Sequence, residues 1–219
     1  MKKFFYLVVL AIVAIACDNT IKTPVDETGL FVVCEKGTPI YGVVDSQDNV
    51  ILPMMYNNIG LDPAQRLLIV TDQDNFQYLY DFKGNPLFGA ISLTKRGQVW
   101  LGKTGEKVAM YDPSRNLTTE HYDNIVVGIN QILVTNENQH AVLDRDAKEL
   151  IPWTEGEILV VNDENDYYYA VQDTVKHVWM KYDKEGKKTK KVYTSKKFDT
   201  MKSAAVSTWA GGFSVKKIQ

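Results

Sequence analysis

Residues 41–59 have the sequence YGVVDSQDNVILPMMYNNI. A short apolar run ends in Asp45, a polar turn follows, a second apolar run ends in Pro53, and a tyrosine and an isoleucine come after it. The same order of features returns four more times along the chain. The aligned aspartates are separated by 36, 31, 32 and 39 residues and are Asp45, Asp81, Asp112, Asp144 and Asp183. A period of about 20 to 50 residues is typical of a repeat architecture.

Each repeat has the pattern of a β-hairpin. A β-branched or aromatic run precedes each aspartate, and about four turn-type residues separate it from the next apolar pair, as expected for two strands joined by a tight turn. The aspartate side chain can accept hydrogen bonds from backbone N–H groups just ahead of it and so fix the turn. Another strand-like run lies upstream in each repeat, so we expect three or four short antiparallel strands per repeat.

The predicted fold class is all-β, because no stretch keeps a helical apolar period for more than two turns. Five repeats, with a last strand-like run at 212–215 that completes a blade begun elsewhere, favour a β-propeller-like architecture, in which radial repetition protects the sheet edges. The alternative is an open β-solenoid of stacked hairpins, whose terminal repeats would need polar caps.

The repeats resemble the WG-repeat family of bacterial proteins. The resemblance covers residues 29–219 and is carried best by residues 41–45, 51–53 and 56–59, where an aromatic and a glycine precede two aliphatics and Asp, and an aliphatic run, Pro and Tyr-x-x-Ile follow. Residues 122–125, with the sequence YDNI, and residues 144–152 carry it next. No repeat contains the Trp-Gly pair of the family, and only the first keeps the glycine.

The start of the chain has the features of a secretion signal. Residues 1–17, MKKFFYLVVLAIVAIAC, combine two lysines, an apolar stretch and small residues before Cys17. Ordinary cleavage after Ala16 would leave this cysteine unmodified, but the pattern resembles the bacterial lipobox, apart from Ala14, and that resemblance implies lipidation of Cys17. We therefore expect a signal peptide at 1–16, a lipidated cysteine with a polar tether at 17–28, and a β-repeat domain at 29–219. The implied location is the cell envelope of a Gram-negative bacterium, on the outer rather than the inner membrane.

Little in the sequence indicates catalysis or a metal. Cys34 has no partner if Cys17 carries lipid, and it is interpreted as a core residue rather than a reactive thiol. Three isolated histidines lack a second ligand at metal-binding spacing, and three acidic turns lack the glycine and later oxygen ligands of a calcium loop. These are His121, His140 and His177, and residues 72–74, 144–146 and 163–165.

The carboxylate pair that could serve a glycosidase is Glu155 and Glu157, near Trp153.

Aromatic side chains are the other candidates for a site. Trp100 and Trp179 lie within strand-like runs and are predicted to be core residues. Trp153, Tyr167 and Tyr169 are predicted to be ligand-binding, because flat aromatic faces stack on sugar rings. Strand alternation sends the tyrosine at position 168 to the opposite face from its neighbours, so we expect at least one ring of the run to be exposed.

The charge distribution sets the C-terminal part apart. Residues 176–219 have a net charge of +9, whereas residues 17–175 have a net charge of −13. The basic stretch would either dock on acidic residues of the same domain or present a basic face to a polyanion, and a solvated hairpin is the simplest interpretation. Its candidate ligand-binding residues are Lys187, Lys188, Lys190 and Lys191. The stretch lacks the aromatic and basic interleaving typical of nucleic-acid grooves, so no nucleic-acid partner is expected.

The sequence therefore predicts a non-catalytic, membrane-anchored envelope lipoprotein whose β-repeat domain binds a protein or glycan. The alternative is a glycan-processing, glycosidase-like enzyme on the same scaffold. No cofactor is indicated. Convergent carboxylates in a deep pocket would favour the enzyme, and a shallow aromatic or charged surface would favour binding.

Overall fold

The structure is a computed structural model that describes residues 19–25, 28–163, 166–194, 206–207 and 212–214. Its regular elements are short β-strands grouped into five sheets. Within these ranges, no helix is long and apolar enough to cross a membrane. The signal peptide predicted at 1–16 and the lipidation site Cys17 lie outside the described residues.

Four of the sheets are four-stranded and antiparallel. The first contains β1 (Thr20–Val25), β2 (Leu30–Glu35), β3 (Tyr41–Asp45) and β4 (Val50–Tyr56). The second contains β5 (Asn58–Asp62), β6 (Leu67–Thr71), β7 (Gln77–Asp81) and β8 (Pro86–Ala90). The third contains β9 (Ser92–Arg96), β10 (Val99–Thr104), β11 (Lys107–Asp112) and β12 (Leu117–Thr118). The fourth contains β13 (Asn124–Val127), β14 (Gln131–Asn136), β15 (Gln139–Asp144) and β16 (Glu149–Thr154).

The fifth sheet has six strands. They are β17 (Ile158–Asp163), β18 (Asp166–Asp173), β19 (Val178–Tyr182), β20 (Lys188–Thr194), β21 (Val206–Ser207) and β22 (Gly212–Ser214). The first four form the same antiparallel meander as in the other sheets, and β22 adds to the free edge of β17 in parallel, with Val160 opposite Gly212. The last strand-like run predicted at 212–215 is thus a strand of the fifth sheet.

The predicted fold class is confirmed: the chain is all-β and its repeats are β-propeller-like, each built on an antiparallel meander of four short strands. The chain divides into two compact units, and the boundary passes through the third sheet. The first unit holds the first two sheets, whose core includes Val43, Leu52 and Leu68. The second unit holds the fourth and fifth sheets, and one of its core clusters, around Val160 and Tyr169, joins them.

The aligned aspartates sit at the turn between the third and fourth strand of each repeat. In the first repeat, the Asp45 carboxylate accepts hydrogen bonds from the backbone N–H groups of Gln47 (2.8 Å) and Asn49 (2.9 Å). Asp81 and Asp144 accept the same two bonds, from the residues two and four positions ahead. Asp183 accepts the bond from Lys187 N at 2.7 Å. The carboxylate therefore satisfies backbone donors that the tight turn leaves without a strand partner.

The turn also needs a residue in the left-handed region. The position three residues after the aspartate has a positive φ in four repeats, and it is Asp48, Gly84, Ala147 and Gly186. In two of them this residue lies directly against the outermost strand of the preceding sheet. A Cβ atom on Gly84 would lie 2.3 Å from the Ile51 carbonyl oxygen, and one on Gly186 would lie 2.1 Å from the Leu150 carbonyl oxygen. Glycine is therefore required there both for its conformation and for space.

The polar tether predicted at 17–28 is shorter in the structure, because Thr20–Val25 form the edge strand β1. All six residues pair with β2, from Thr20 opposite Glu35 to Val25 opposite Leu30. Lys22 forms an ion pair with Asp48, and its ammonium group lies 4.2 Å from the centre of the Phe31 ring. Four of the six β1 residues are exposed, so the strand lacks the apolar alternation that would have identified it. The repeat domain thus begins at Thr20 rather than at residue 29.

Replacing Gly186 by Ala should destabilise the protein more than replacing Gly105 by Ala. Both glycines have a positive φ, 79° and 62°, so each alanine should cost about 1 kcal/mol for the left-handed conformation. Only at Gly186 does the added methyl group meet backbone, and the total loss there should reach roughly 3 kcal/mol because the turn must move away from β16. Urea unfolding followed by tryptophan fluorescence measures both values. Equal losses for the two variants would contradict the packing role assigned to this turn.

Candidate functional site

An open groove of about 310 Å³ lies in the second unit, where the fourth and fifth sheets meet. The end of β16, the end of β18 and the strands β19 and β20 supply its walls. The side chains that give the groove its chemistry are Glu155, Gln172, Asp173, Met180, Tyr182 and Lys188. The groove combines two acidic groups, one ammonium group, an amide and a phenol around a small apolar floor.

The loop after β16 places Glu155 on this groove. Gly156 packs so closely on β18 that a Cβ atom there would lie 1.8 Å from the Gln172 carbonyl oxygen. The Gln172 N–H donates to the Glu157 carbonyl oxygen at 2.9 Å, and the Gly156 N–H donates to Thr154 Oγ1 at 3.2 Å. These contacts fix the loop on β18, and a side chain at position 156 would push it away.

The groove lining also includes a partly buried acid, Asp173, and a phenol, Tyr182. The Asp173 carboxylate accepts a hydrogen bond from the Lys176 N–H at 2.9 Å, and the Lys176 ammonium group lies 3.8 Å away. Burial, and to a smaller degree the Asp173 carboxylate, raises the pKa of Tyr182. The Tyr182 hydroxyl therefore stays protonated at neutral pH and can donate a hydrogen bond to a ligand.

The carboxylate pair considered for glycoside hydrolysis is not assembled in this groove. Glu155 is among the residues that line it, and Glu157 is not. The second carboxylate of the groove is instead Asp173, which Lys176 engages through both its backbone and its side chain.

A smaller cavity of about 170 Å³ lies near the β17–β18 hairpin and includes Tyr167 in its lining. Two of its charged groups form an ion pair, and a lysine packs over a tyrosine ring. The Lys184 ammonium group lies 3.4 Å from the Asp166 carboxylate, and the Lys181 ammonium group lies 3.9 Å from the centre of the Tyr168 ring. The pKa of Asp166 is lowered, mainly by a hydrogen bond from the Tyr167 N–H and to a smaller degree by the charge of Lys184. This cavity offers a ligand fewer uncommitted groups than the groove does.

The prediction that Tyr169 binds a ligand is wrong, because its side chain is 0% exposed. It packs in the core between the fourth and fifth sheets, and its ring meets Tyr167 edge to face at 5.7 Å. Tyr168 faces the opposite side of β18 and is also buried, next to Trp179. Alternation thus predicts the directions of the three rings correctly, but β18 is covered on both faces, and only Tyr167 remains partly exposed.

The remaining predicted binding residues are dispersed. Trp153 is 36% exposed on β16, and its ring centre lies 6.0 Å from that of the buried Tyr122. Lys187, Lys188 and Lys190 are exposed, and Lys188 alone of these lines the groove. The side chain of Lys191 lies outside the described part. None of the three exposed lysines forms a side-chain ion pair with a described residue, so their ammonium groups are available to an external anion. Trp100 and Trp179 are buried, at 6% and 2% exposure.

The acidic turns considered for calcium are occupied by their own backbone. The Asp72 carboxylate accepts hydrogen bonds from the N–H groups of Asp74 and Phe76, at 2.9 and 2.8 Å. Asp144 is engaged in the same way, and the turn at 163–165 lies partly outside the described ranges. Across those ranges, no cluster of three or more His, Cys, Asp or Glu residues is placed to hold a metal ion. Cys34 is half-buried, and its thiol forms no disulfide.

One charged cluster around the fully buried Asp112 was not predicted from the sequence. The Asp112 carboxylate accepts hydrogen bonds from Ser114 Oγ (2.6 Å), Arg115 (3.1 Å) and Arg145 (2.8 Å). Arg145 also donates to the Gly128 carbonyl oxygen at 3.3 Å. Burial pushes the pKa of Asp112 upward, but hydrogen bonds from Ser114 and Arg145 and the arginine charge leave it below its usual value. Because these partners already satisfy the carboxylate, we interpret the cluster as a structural link between neighbouring repeats.

Comparisons with known proteins give matches to solved structures at low identity. No family model matches the chain, and no curated protein matches it. Solved structures that match part of the chain include BamB from Moraxella catarrhalis, at 11% identity and a TM-score of 0.29, over 76% of this chain and 61% of that one. Kluyveromyces lactis Hsv2 shares 10% identity, with a TM-score of 0.31, over 76% of this chain and 59% of that one. The dihydro-heme d1 dehydrogenase NirN shares 10% identity, with a TM-score of 0.29, over 74% of this chain and 45% of that one.

This chain therefore matches about six tenths or less of the length of these structures. The resemblance of its repeats to the WG-repeat family stays a prediction.

Replacing Asp112 by Asn should lower the free energy of unfolding at pH 7 by about 3 kcal/mol, because the buried Arg145 contact loses its opposite charge. The pKa of Asp112 is lowered by folding, so its contribution is present above the unfolded-state pKa and is lost as the pH falls through the folded-state value. The difference between wild type and variant should therefore shrink between pH 5 and pH 2, as chemical denaturation at each pH would show. A difference that does not change with pH would contradict a charged Asp112.

Proposed function

We propose that this chain is a non-catalytic lipoprotein of a Gram-negative cell envelope, with a WG-like β-repeat domain that binds a protein or glycan. The observation that carries the proposal is the open groove beside β18, which is lined by charged and hydrogen-bonding side chains. Such a surface suits an extended polar ligand that lies along it, such as an oligosaccharide or a polar peptide segment.

The chemistry of the groove favours recognition over a reaction. Lys188 provides a cation for an anionic ligand group, and Tyr182, Gln172 and Glu155 provide hydrogen-bond donors and acceptors along the same surface. A glycosidase needs two carboxylates that face each other across the scissile bond. The second carboxylate in the groove, Asp173, is held by Lys176 instead. Binding is thus the function that these side chains support best.

The proposed anchor is acylated Cys17. Each buried methylene contributes ~0.8 kcal/mol to membrane binding, and two or more acyl chains hold a protein stably where a single chain does not. We place the anchor in the outer rather than the inner membrane.

Replacing Cys17 by Ser should move the protein from the membrane fraction to the soluble fraction. Folding should not change, because Cys17 precedes β1, the edge strand of the first sheet. Membrane flotation reports the anchor, and the melting temperature of the released variant reports the fold. Full retention of the variant in the membrane fraction would overturn lipidation as the anchor.

Replacing Lys188 by Gln should weaken binding two- to fivefold, as expected for the loss of one exposed charge contact worth about 0.5 to 1 kcal/mol. The matched control is Lys187→Gln, which removes the same charge from the neighbouring residue outside the groove. An array of acidic and neutral bacterial oligosaccharides would identify a ligand, and titration calorimetry would then compare the two variants.

Replacing Glu155 by Gln provides a second test of the same surface, because Glu155 also lines the groove. Binding by both groove variants at wild-type strength would contradict the assignment of the groove. Turnover of an array glycan that is lost in Glu155→Gln would overturn the non-catalytic assignment and favour the enzyme.

A further inference from the structure

The first sheet begins very close to the proposed anchor. β1 starts at Thr20, only three residues after Cys17. Three residues of fully extended chain span at most about 11 Å, since each covers about 3.3 to 3.6 Å. A tether over the whole of 17–28 would have reached roughly 40 Å by the same measure. The pairing of β1 with β2 therefore removes most of the freedom that the sequence suggested.

The strands place a defined end of the sheet next to Cys17. β1 begins there, and Ile21 is directly opposite Cys34 of β2, which is opposite Tyr41 of β3. Tyr41 in turn is opposite Tyr56, the last residue of β4. The start of β1 and the end of β4 therefore lie at the same end of the first sheet, and we call this the anchor end.

The anchor end exposes large apolar side chains. Ile21 is 48% exposed, and Met54 and Met55, near the end of β4, are 39% and 49% exposed. The chain then passes through Asn57 to the second sheet, where the Asn57 N–H donates to the Thr71 carbonyl oxygen at 2.8 Å. Ile21 lies on one edge strand of the first sheet and the two methionines lie on the other, so the exposed apolar side chains flank the anchor end. Exposed large apolar side chains at one end of a domain can form a contact surface.

The position of β1 is held by more than its backbone bonds. Lys22 forms its ion pair with Asp48, which lies in the turn at the opposite end of the sheet, and it also packs over Phe31. The six-residue register and these two side-chain contacts oppose peeling of β1 from the sheet. β1 is therefore held in the first sheet along its whole length.

We propose that the anchor end of the first sheet rests on the membrane, with Ile21, Met54 and Met55 in contact with the lipid headgroup and acyl boundary. This inference rests on the proposed lipidation of Cys17. The occupant is a lipid bilayer rather than a protein, because the short link holds the start of β1 within about 11 Å of Cys17. The headgroup region of one leaflet is itself about 5 to 7 Å thick, so this end of the sheet lies at the membrane surface.

Methionine oxidation tests the proposal on nearly native protein. Val50 lies at the other end of β4 and is 67% exposed, so the variant Val50→Met provides a reference methionine on the same strand. Trypsin would release positions 50, 54 and 55 on one peptide, residues 37–66. The lipoprotein is reconstituted in vesicles of phosphatidylethanolamine and phosphatidylglycerol, and chloramine T is added from the water phase. Fragmentation mass spectrometry gives the rate of sulfoxide formation at each position.

In the vesicles, oxidation of Met54 and Met55 should slow at least threefold relative to the methionine introduced at position 50. In the soluble Cys17→Ser form of the same variant, the three rates should differ less than this. The mass of the N-terminal peptide separates the two proposals. Equal oxidation rates at positions 50, 54 and 55 in vesicle-bound protein with acylated Cys17 would overturn the membrane contact and leave the anchor intact. A Cys17 without acyl chains would overturn the anchor, and the membrane contact with it.

Discussion

The turn after each aligned aspartate is the constraint on which the repeats depend. In the first, second and fourth repeats the aspartate carboxylate accepts hydrogen bonds from backbone N–H groups two and four positions ahead. In four repeats a left-handed residue three positions after the aspartate lets the chain reverse. In the second and fifth repeats, the same turn presses on the outermost strand of the preceding sheet, where Gly84 and Gly186 leave no room for a side chain. One local motif thus determines the hairpin and, in these two repeats, the packing of a repeat on its predecessor.

This locality explains why the fold class could be predicted. All the groups that form the turn lie within five residues, so the period is visible in the sequence even where the rest of a repeat has diverged. The groove could not be predicted in the same way. Glu155 and Lys188 are 33 positions apart and were both candidate residues, but their convergence depends on how closely Gly156 approaches β18. The Asp112–Arg145 ion pair likewise joins different repeats, and no local sequence pattern predicts it.

The tyrosines of β18 show a second limit of sequence patterns. Alternation along a strand fixes which side chains share a face, and it placed Tyr168 opposite Tyr169 correctly. It does not say whether a face is covered. In an antiparallel sheet with one solvated face, one of these rings would be available to a ligand. Here both faces of β18 are packed, so rings that looked suited to stacking on a sugar instead fill the core.

The edge strand β1 shows the reverse case, in which a stretch without any strand pattern is part of the sheet. An edge strand with most of its side chains in solvent needs no apolar alternation, because β2 supplies its hydrogen bonds. One lysine and one proline, Lys22 and Pro24, are the residue types that protect an outer edge from other chains. The sequence TIKTPV thus has the composition of a linker and the structure of a strand. The difference matters for function, since a linker would let the domain turn freely on its anchor. A paired strand instead determines which end of the first sheet faces the point of attachment, and the exposed methionines lie at that end.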